Sequence, residues 1–355
     1  MIDIGIYTKE YIQSLSDEIK ADRNLVERAL FAFGLLEALT IAKLPFIFKG
    51  GTCLLLLLNE PKRLSTDIDI IVEPNIDLDL YLQEACKIFP FKYMEENIRR
   101  GKNKIEKRHF RFYYASPIHS KDTNVILDVV FEICPYTQVI KKDISNQFLK
   151  IKGTPISVDV PSVDCILGDK LTAFAPYTTG IPFHVNKELE IIKQLNDIGC
   201  LFEHLNDFEA VKNTYIKTAE LELQFRGINI SYKECLKDTI RACLSIMSKG
   251  SILKEDYVFY LAGIRKIKGH MLGYKYNPDI ASDQAAKALY LCSCLLSDAF
   301  FDNNIDVTKY TNINKLPNKL KSLFYLKRFN KLAFAYLCAS MKLIELEELL
   351  HNKDG

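Results

Sequence analysis

No stretch of this chain approaches the roughly 18 consecutive apolar residues that a membrane-spanning helix requires; the most apolar, Cys53 to Leu58, is far too short. The opening MIDIGIYTKEYIQSLSDEIK carries acids early and has no apolar core, so no secretory leader is expected there. Cysteine is plentiful, ten residues in all, but no C-x-x-C occurs, and the one close pair is Cys292 and Cys294. The others (Cys53, Cys86, Cys134, Cys165, Cys200, Cys235, Cys243 and Cys338) stand singly, mostly among apolar neighbours. That scatter argues against a zinc site and for reduced core thiols in a reducing compartment, so a cytoplasmic protein is expected. The six histidines are dispersed without ligand spacing, and no Ser-His-Asp arrangement or nucleophile elbow can be read. Charge of one sign is also missing. A net +2 sets up no global field, so any attraction for nucleic acid has to come from a local patch.

What the chain has is an ordinary globular balance, 48% apolar and 26% charged residues over 355 positions, a length that suggests two domains. Apolar residues recur near a 3.6 period over 8–43, which predicts a helix. Leu44 to Phe48 then reads as a short strand ended by Gly50-Gly51, Thr52 to Asn59 as a helix, Ile68 to Val72 as a strand, and Leu78 to Phe89 as a helix. Two charged, alternating segments, Phe91 to Arg99 and Lys104 to Tyr114, flank Gly101-Lys102-Asn103 and read as a hairpin. Val125 to Ile133 is a β-branched strand, Ile156 to Val160 a short one, and Asp164 to Ala175 a helix. From Lys187 on, every substantial segment (187–205, 207–225, 231–248, 254–269, 282–301 and 317–350) reads as helix. Composition therefore predicts an α/β domain over residues 1–186 and a helical domain over 187–355.

One stretch, FKGGTCLLLLLNEPKRLSTDIDIIV, carries the chemistry. Asp67 and Asp69 lie two apart on a predicted strand, so both point to one face while Ile68 and Ile70 point to the core. Carboxylates about 6 to 7 Å apart repel unless a cation lies between them, and Mg²⁺, a hard ion that takes one or two carboxylates plus substrate phosphates, fits that place. Gly50-Gly51 follows a strand and precedes a helix, a geometry in which backbone N–H groups and the helix dipole hold phosphate. Thr52 can cap that helix and donate its hydroxyl to the same anion. Asp128 is the one acid in the middle of the apolar strand NVILDVVFEI and supplies a third carboxylate if its strand lies beside that of Asp69. Each signal alone has a plain reading: a turn for the glycines, an exposed edge acid for Asp128. Asp77 and Asp79 repeat the Asp-x-Asp spacing but fall at a helix start, where acids complement the dipole.

Lys49-Gly50-Gly51-Thr52 followed by Arg63-Leu64-Ser65-Thr66-Asp67-Ile68-Asp69 resembles the AbiEii/AbiGii toxin family of nucleotidyltransferases, a branch of the DNA polymerase β-like fold. Asp169-Lys170-Leu171-x-Ala173 is similar to the family's third motif, and Lys193-x-x-x-Asp197-Ile198 to its fourth. The resemblance covers roughly residues 45 to 205. It implies an α+β polymerase β-like core, a mixed sheet flanked by helices, followed by an all-α C-terminal domain. It also implies transfer of a nucleotide from an NTP to an acceptor such as the 3′ end of tRNA, Mg²⁺ or Mn²⁺ as cofactor, and a toxin with a cognate antitoxin, in the manner of toxin–antitoxin and abortive-infection systems. In that scheme Asp67, Asp69 and Asp128 hold the metal. Gly50, Gly51, Thr52, Ser65 and Lys170 bind the nucleotide, with Arg63, Asp169, Lys193 and Asp197 as further candidates. Two plainer readings stay open at this stage: Lys193 and Asp197 as an i,i+4 pair, and Arg63 and Ser65 as residues that order the loop.

Relatives often carry an arginine in the loop between the last two motifs; here that loop, Ala175 to Val185, has none. The hairpin supplies the local basic patch, with Arg99, Arg100, Lys102, Lys104, Lys107, Arg108 and Arg111 followed by Tyr113 and Tyr114. It reads either as a solvated surface or as an RNA groove with aromatics for stacking. Other classes of function also stay open: transfer to a protein or small-molecule acceptor, or a fold retained as a non-catalytic binding module.

Overall fold

The computed structural model describes residues 1–97 and 107–350, so the tip of the basic hairpin, with Arg99, Arg100, Lys102 and Lys104, lies outside the described residues. The chain divides into two compact units. The first is Met1–Ser162 with Gly269–Tyr274, and the second is Val163–Lys268 with the chain from Lys275 on.

The first unit is a mixed α+β structure. Two helices, α1 (Lys9–Ile19) and α2 (Arg23–Ile41), replace the single one expected over 8–43. The break lies at Lys20, which is left-handed (φ 53°), and at Asp22, whose carboxylate accepts from the N–H groups of Asn24 (2.9 Å) and Leu25 (3.2 Å) and caps α2. Next come β1 (Ile47–Lys49), α3 (Gly50–Leu57), β2 (Ile68–Val72), α4 (Leu78–Cys86), β3 (Phe91–Glu96), β4 (Lys107–Ala115) and β5 (Asp122–Phe131). The five strands form one sheet in the order β1-β2-β5-β4-β3, in which only β2 and β5 run parallel. One face is apolar: Ile68, Ile70, Val125, Leu127, Val129, Phe110, Phe112 and Tyr114 are buried. α2, buried along most of its length, packs there, with Phe31 stacked on Tyr114. The alternate residues of β4 and β5 (His109, Arg111, Tyr113, Asn124, Ile126 and Asp128) are at least partly exposed, so the opposite face is the open one. A separate antiparallel ribbon, β6 (Val139–Asp143) with β7 (Ser157–Pro161), completes the unit beside β1 and α3.

Every element of the second unit among the described residues is helical: α5 (Val163–Ala173), α6 (Glu188–Phe202), α7 (Phe208–Arg226), α8 (Tyr232–Met247), α9 (Lys254–Lys266), α10 (Pro278–Ser297), α11 (Leu326–Phe329) and α12 (Lys331–Leu343), with short 3₁₀ turns. α10 is buried nearly all round and packs against α6, α8 and α12, as a central helix does. It starts earlier than its apolar period suggests, because Asn277 caps it from ahead of Pro278. The expected helix over 317–350 is instead a 3₁₀ segment (Asn318–Tyr325) running into α11, then broken at Asn330, a non-helical residue whose side chain caps α12 through the N–H of Ala333 (2.9 Å). Composition places a boundary at 186/187, whereas the compact units part after Ser162, because α5 packs against α6 and α7. No helix among the described residues is long and apolar enough to cross a membrane.

Candidate active site

The turn from β1 into α3 is built on an exclusion. Gly50 has φ +79°, a left-handed conformation costly for residues with a side chain. A Cβ there would also lie 1.9 Å from Oδ2 of Asp69. A Cβ on Gly51 would come within 2.7 Å of a guanidinium nitrogen of Arg63 and 2.8 Å of the Ser65 hydroxyl. The two glycines therefore let Asp69, Arg63 and Ser65 close on the start of α3. No side chain caps that helix at Lys49. Its positive end favours the carboxylate beside it.

Thr52 differs from expectation. It is fully buried, and its hydroxyl donates to the backbone carbonyl of Asp67 (2.6 Å) instead of capping α3. A hydroxyl has one proton, so Thr52 serves here to tie α3 to the residue that opens the Asp-x-Asp segment.

Sheet register assembles the acids. Lys49 of β1 pairs with Asp69 of β2, Asp69 with Asp128 of β5, and Asp128 with His109 of β4. These four residues form one rung across four strands, and directly opposed residues share a face. Asp69 and Asp128 thus stand on adjacent strands, which run about 4.8 Å apart, on the open side of the sheet. Asp67, exposed, precedes them by two positions. His109 Nδ1 lies 2.5 Å from Asp128 Oδ1. Nothing in the histidine spacing pointed to this residue; only the β4–β5 register reveals it. Further along the same face, Tyr93 and Tyr113 stack with ring centroids 4.5 Å apart, beside exposed Arg111.

Arg63 and Ser65 owe their position to a remote segment. Leu64 N–H donates to the His270 carbonyl (2.9 Å), Leu272 N–H donates to the Lys62 carbonyl (2.9 Å), and Arg63 forms an isolated antiparallel bridge with Met271. Arg63 is buried, and its guanidinium also donates to the Leu64 carbonyl (3.1 Å).

The later motifs lie in the helical unit. Lys170 of α5 pairs with Asp197 of α6 at 3.0 Å, with side chains only 8% and 1% exposed. The expected triphosphate lysine is thus buried in an ion pair that joins two helices. Lys193 lies 4.0 Å from Glu190, and Asp169 offers its carbonyl to the Thr172 hydroxyl (2.6 Å). The loop that lacks an arginine receives one from elsewhere: Arg226 of α7 donates to the carbonyls of Thr178 (2.9 Å) and Thr179. Asp238 of α8 holds the same loop through Tyr177 N–H (2.8 Å) and the Thr178 hydroxyl (2.9 Å). Burial pushes its carboxyl up to about 6, against these hydrogen bonds.

Among the described residues no three His, Cys, Asp or Glu side chains stand close enough to form a ready-made metal cage. The donor set present, carboxylate oxygens on adjacent strands, still suits Mg²⁺. That ion keeps several waters and takes one or two carboxylates with substrate phosphates, whereas Zn²⁺ prefers nitrogen and sulfur.

No curated protein matches the chain. Among solved structures it is similar to JHP933 from Helicobacter pylori, at 14% identity and a TM-score of 0.43, covering 77% of this chain and 93% of that one. It is similar also to an H. pylori protein assigned as a nucleotidyltransferase, at 14% identity and a TM-score of 0.42, covering 77% and 96%. The family described as nucleotidyl transferase AbiEii toxin, type IV TA system, matches residues 35–267, a span that takes in the glycine turn, the aspartate rung, Lys170 and Asp197. The chain belongs to the AbiEii nucleotidyl transferase toxin family of type IV toxin–antitoxin systems.

Proposed function

We propose that this protein transfers an NMP from an NTP to an acceptor hydroxyl, the 3′ end of an RNA such as tRNA, on a polymerase β-like core. The observation that carries the reading is the rung: two ionisable carboxylates side by side at the start of a glycine-opened helix. A fold kept only for binding has no use for adjacent carboxylates that repel.

In this reading the triphosphate lies against the Gly50-Gly51 turn, where the start of α3 and the neighbouring Arg63 and Ser65 complement its charge. Asp69 and Asp128, with Asp67 beside them, would hold Mg²⁺ or Mn²⁺, which when bound neutralises the triphosphate and lowers the pKa of the attacking hydroxyl. Asp128 takes that hydroxyl's proton as the acceptor oxygen bonds to the α-phosphorus and the bond to pyrophosphate breaks. Arg111 and the stacked Tyr93 and Tyr113, on the same face, supply charge and a stacking surface for a single-stranded end. Lys170 keeps α5 on α6, and Thr52 fixes the loop, so neither is counted as a nucleotide contact. Family membership implies a cognate antitoxin, by resemblance often one with a helix-turn-helix DNA-binding domain, and the scattered reduced cysteines support action in the cytoplasm.

The test incubates the protein with Mg²⁺, total tRNA and each α-³²P-labelled NTP in turn, with Asp69→Ala as control. Asp69-dependent label in the RNA band is the expected result. Label on protein or on a small molecule keeps the chemistry and discards the acceptor. No Asp69-dependent label from any NTP, with a folded protein, overturns the reading.

A further inference from the structure

The imidazole of His109 stands 2.5 Å from Asp128 through Nδ1, at the rung that also carries Asp69. For the carboxylate to accept across this contact, the imidazole has to be in the tautomer whose Nδ1 carries the hydrogen. That leaves Oδ2 as the oxygen of Asp128 not committed to His109. The pair is not a core feature, since the His109 side chain is 18% exposed and that of Asp128 35%, on the partly exposed face of the sheet. A single hydrogen bond between groups still open to water contributes little to stability, so folding alone does not account for it. Nor is it incidental to β4. The preceding residue, Arg108, points to the other face and donates to Glu96 of β3 and Asp79 of α4, both at 2.8 Å, which anchors β4, while the β4–β5 pairing sets His109 opposite Asp128.

We propose that His109 is a positioning residue for nucleotidyl transfer: its Nδ1–H fixes the rotamer of Asp128 so that Oδ2 alone faces the reacting groups. The inference rests on the transfer reading above and adds to it a residue that acts through Asp128. A hydrogen bond to a charged carboxylate also eases the crowding of Asp69 and Asp128 on neighbouring strands. In the transfer step the acceptor's proton passes to Oδ2 while Oδ1 stays on His109, so the imidazole neither gains nor loses a proton. The arrangement is the one in which an outer partner fixes the orientation of a reacting group.

Two measurements test this on the full chain. Spectra of the ¹⁵N-histidine-labelled protein read the tautomer without turnover. His109, identified by the signal missing in His109→Asn, is expected in the Nδ1–H form and expected to leave it in Asp128→Ala. An Nε2–H tautomer, or a signal indifferent to Asp128→Ala, overturns the hydrogen bond. In turnover, His109→Leu is expected to lower kcat about 10–100-fold while the NTP KM stays within about twofold. His109→Asn, whose amide N–H stands near the position of Nδ1, is expected to recover most of that loss. A leucine variant as active as wild type, a KM effect without a kcat effect, or an asparagine variant no better than leucine overturns the positioning role. Wild-type protein that transfers no nucleotide sinks the transfer reading and the positioning role with it, while the tautomer still judges the hydrogen bond.

Discussion

Gly50 holds its place through what one extra carbon would do there. Alanine at that position meets two penalties: a left-handed backbone, worth about 1–2 kcal/mol, and a Cβ inside the Asp69 carboxylate. Gly50→Ala is expected to lower stability by at least that range in a urea titration and to abolish nucleotide transfer, because Asp69 has to move away from α3. Asp238 makes a different prediction. Its carboxyl stays protonated up to about 6 in the folded state against 3.8 ordinarily, so between those values the folded protein keeps a proton that the unfolded chain has released. Stability therefore falls as pH rises through that window, by up to about 3 kcal/mol, and is fully present only below it. Asp238→Asn, measured by denaturant unfolding at pH 4 and pH 7, is expected to lose that dependence; an unchanged slope refutes it.

At the scale of elements, the α5–α6 contact turns on Lys170 and Asp197. Removing one partner of a buried pair strands the other charge and costs about 3–5 kcal/mol, whereas replacing both with apolar residues of similar size is near neutral. Lys170→Met is therefore expected to unfold at markedly lower denaturant than wild type, and Lys170→Met with Asp197→Leu to recover. An NTP KM that stays high in the recovered double variant would return Lys170 to the triphosphate. The sequence was most legible where local pattern decides. β2 reads to both its ends, from alternating Ile68, Asp69 and Ile70 and the stop at Pro74, whereas Asp67, expected on the same strand as Asp69, falls just before it. β6 leaves no mark in the sequence because Val139, Ile140 and Lys141 are exposed, so no buried face imprints a period. His109 is silent in the sequence for another reason: its meaning lies in the β4–β5 pairing, and register between distant strands is not written in either strand alone.

At the scale of the whole molecule, the polypeptide leaves the first unit after Ser162, returns for Gly269–Tyr274, and leaves again. That return holds the loop before β2 from behind, through the carbonyl of His270 and the N–H of Leu272. Leu272→Pro removes one of these donors. It is expected to leave the sheet intact by circular dichroism, to speed hydrogen exchange at the Leu64 amide, and to weaken NTP binding by loosening Arg63 and Ser65. Unchanged exchange at Leu64 would show that the loop holds itself. The same path sets an order of events during synthesis. A ribosome that has polymerised every acid of the rung has still not made the residues that pin the loop carrying Arg63 and Ser65. A nascent or truncated chain that stops short of residue 269 carries the aspartates without their finished surroundings, so the frame around them closes only after most of the chain has been translated.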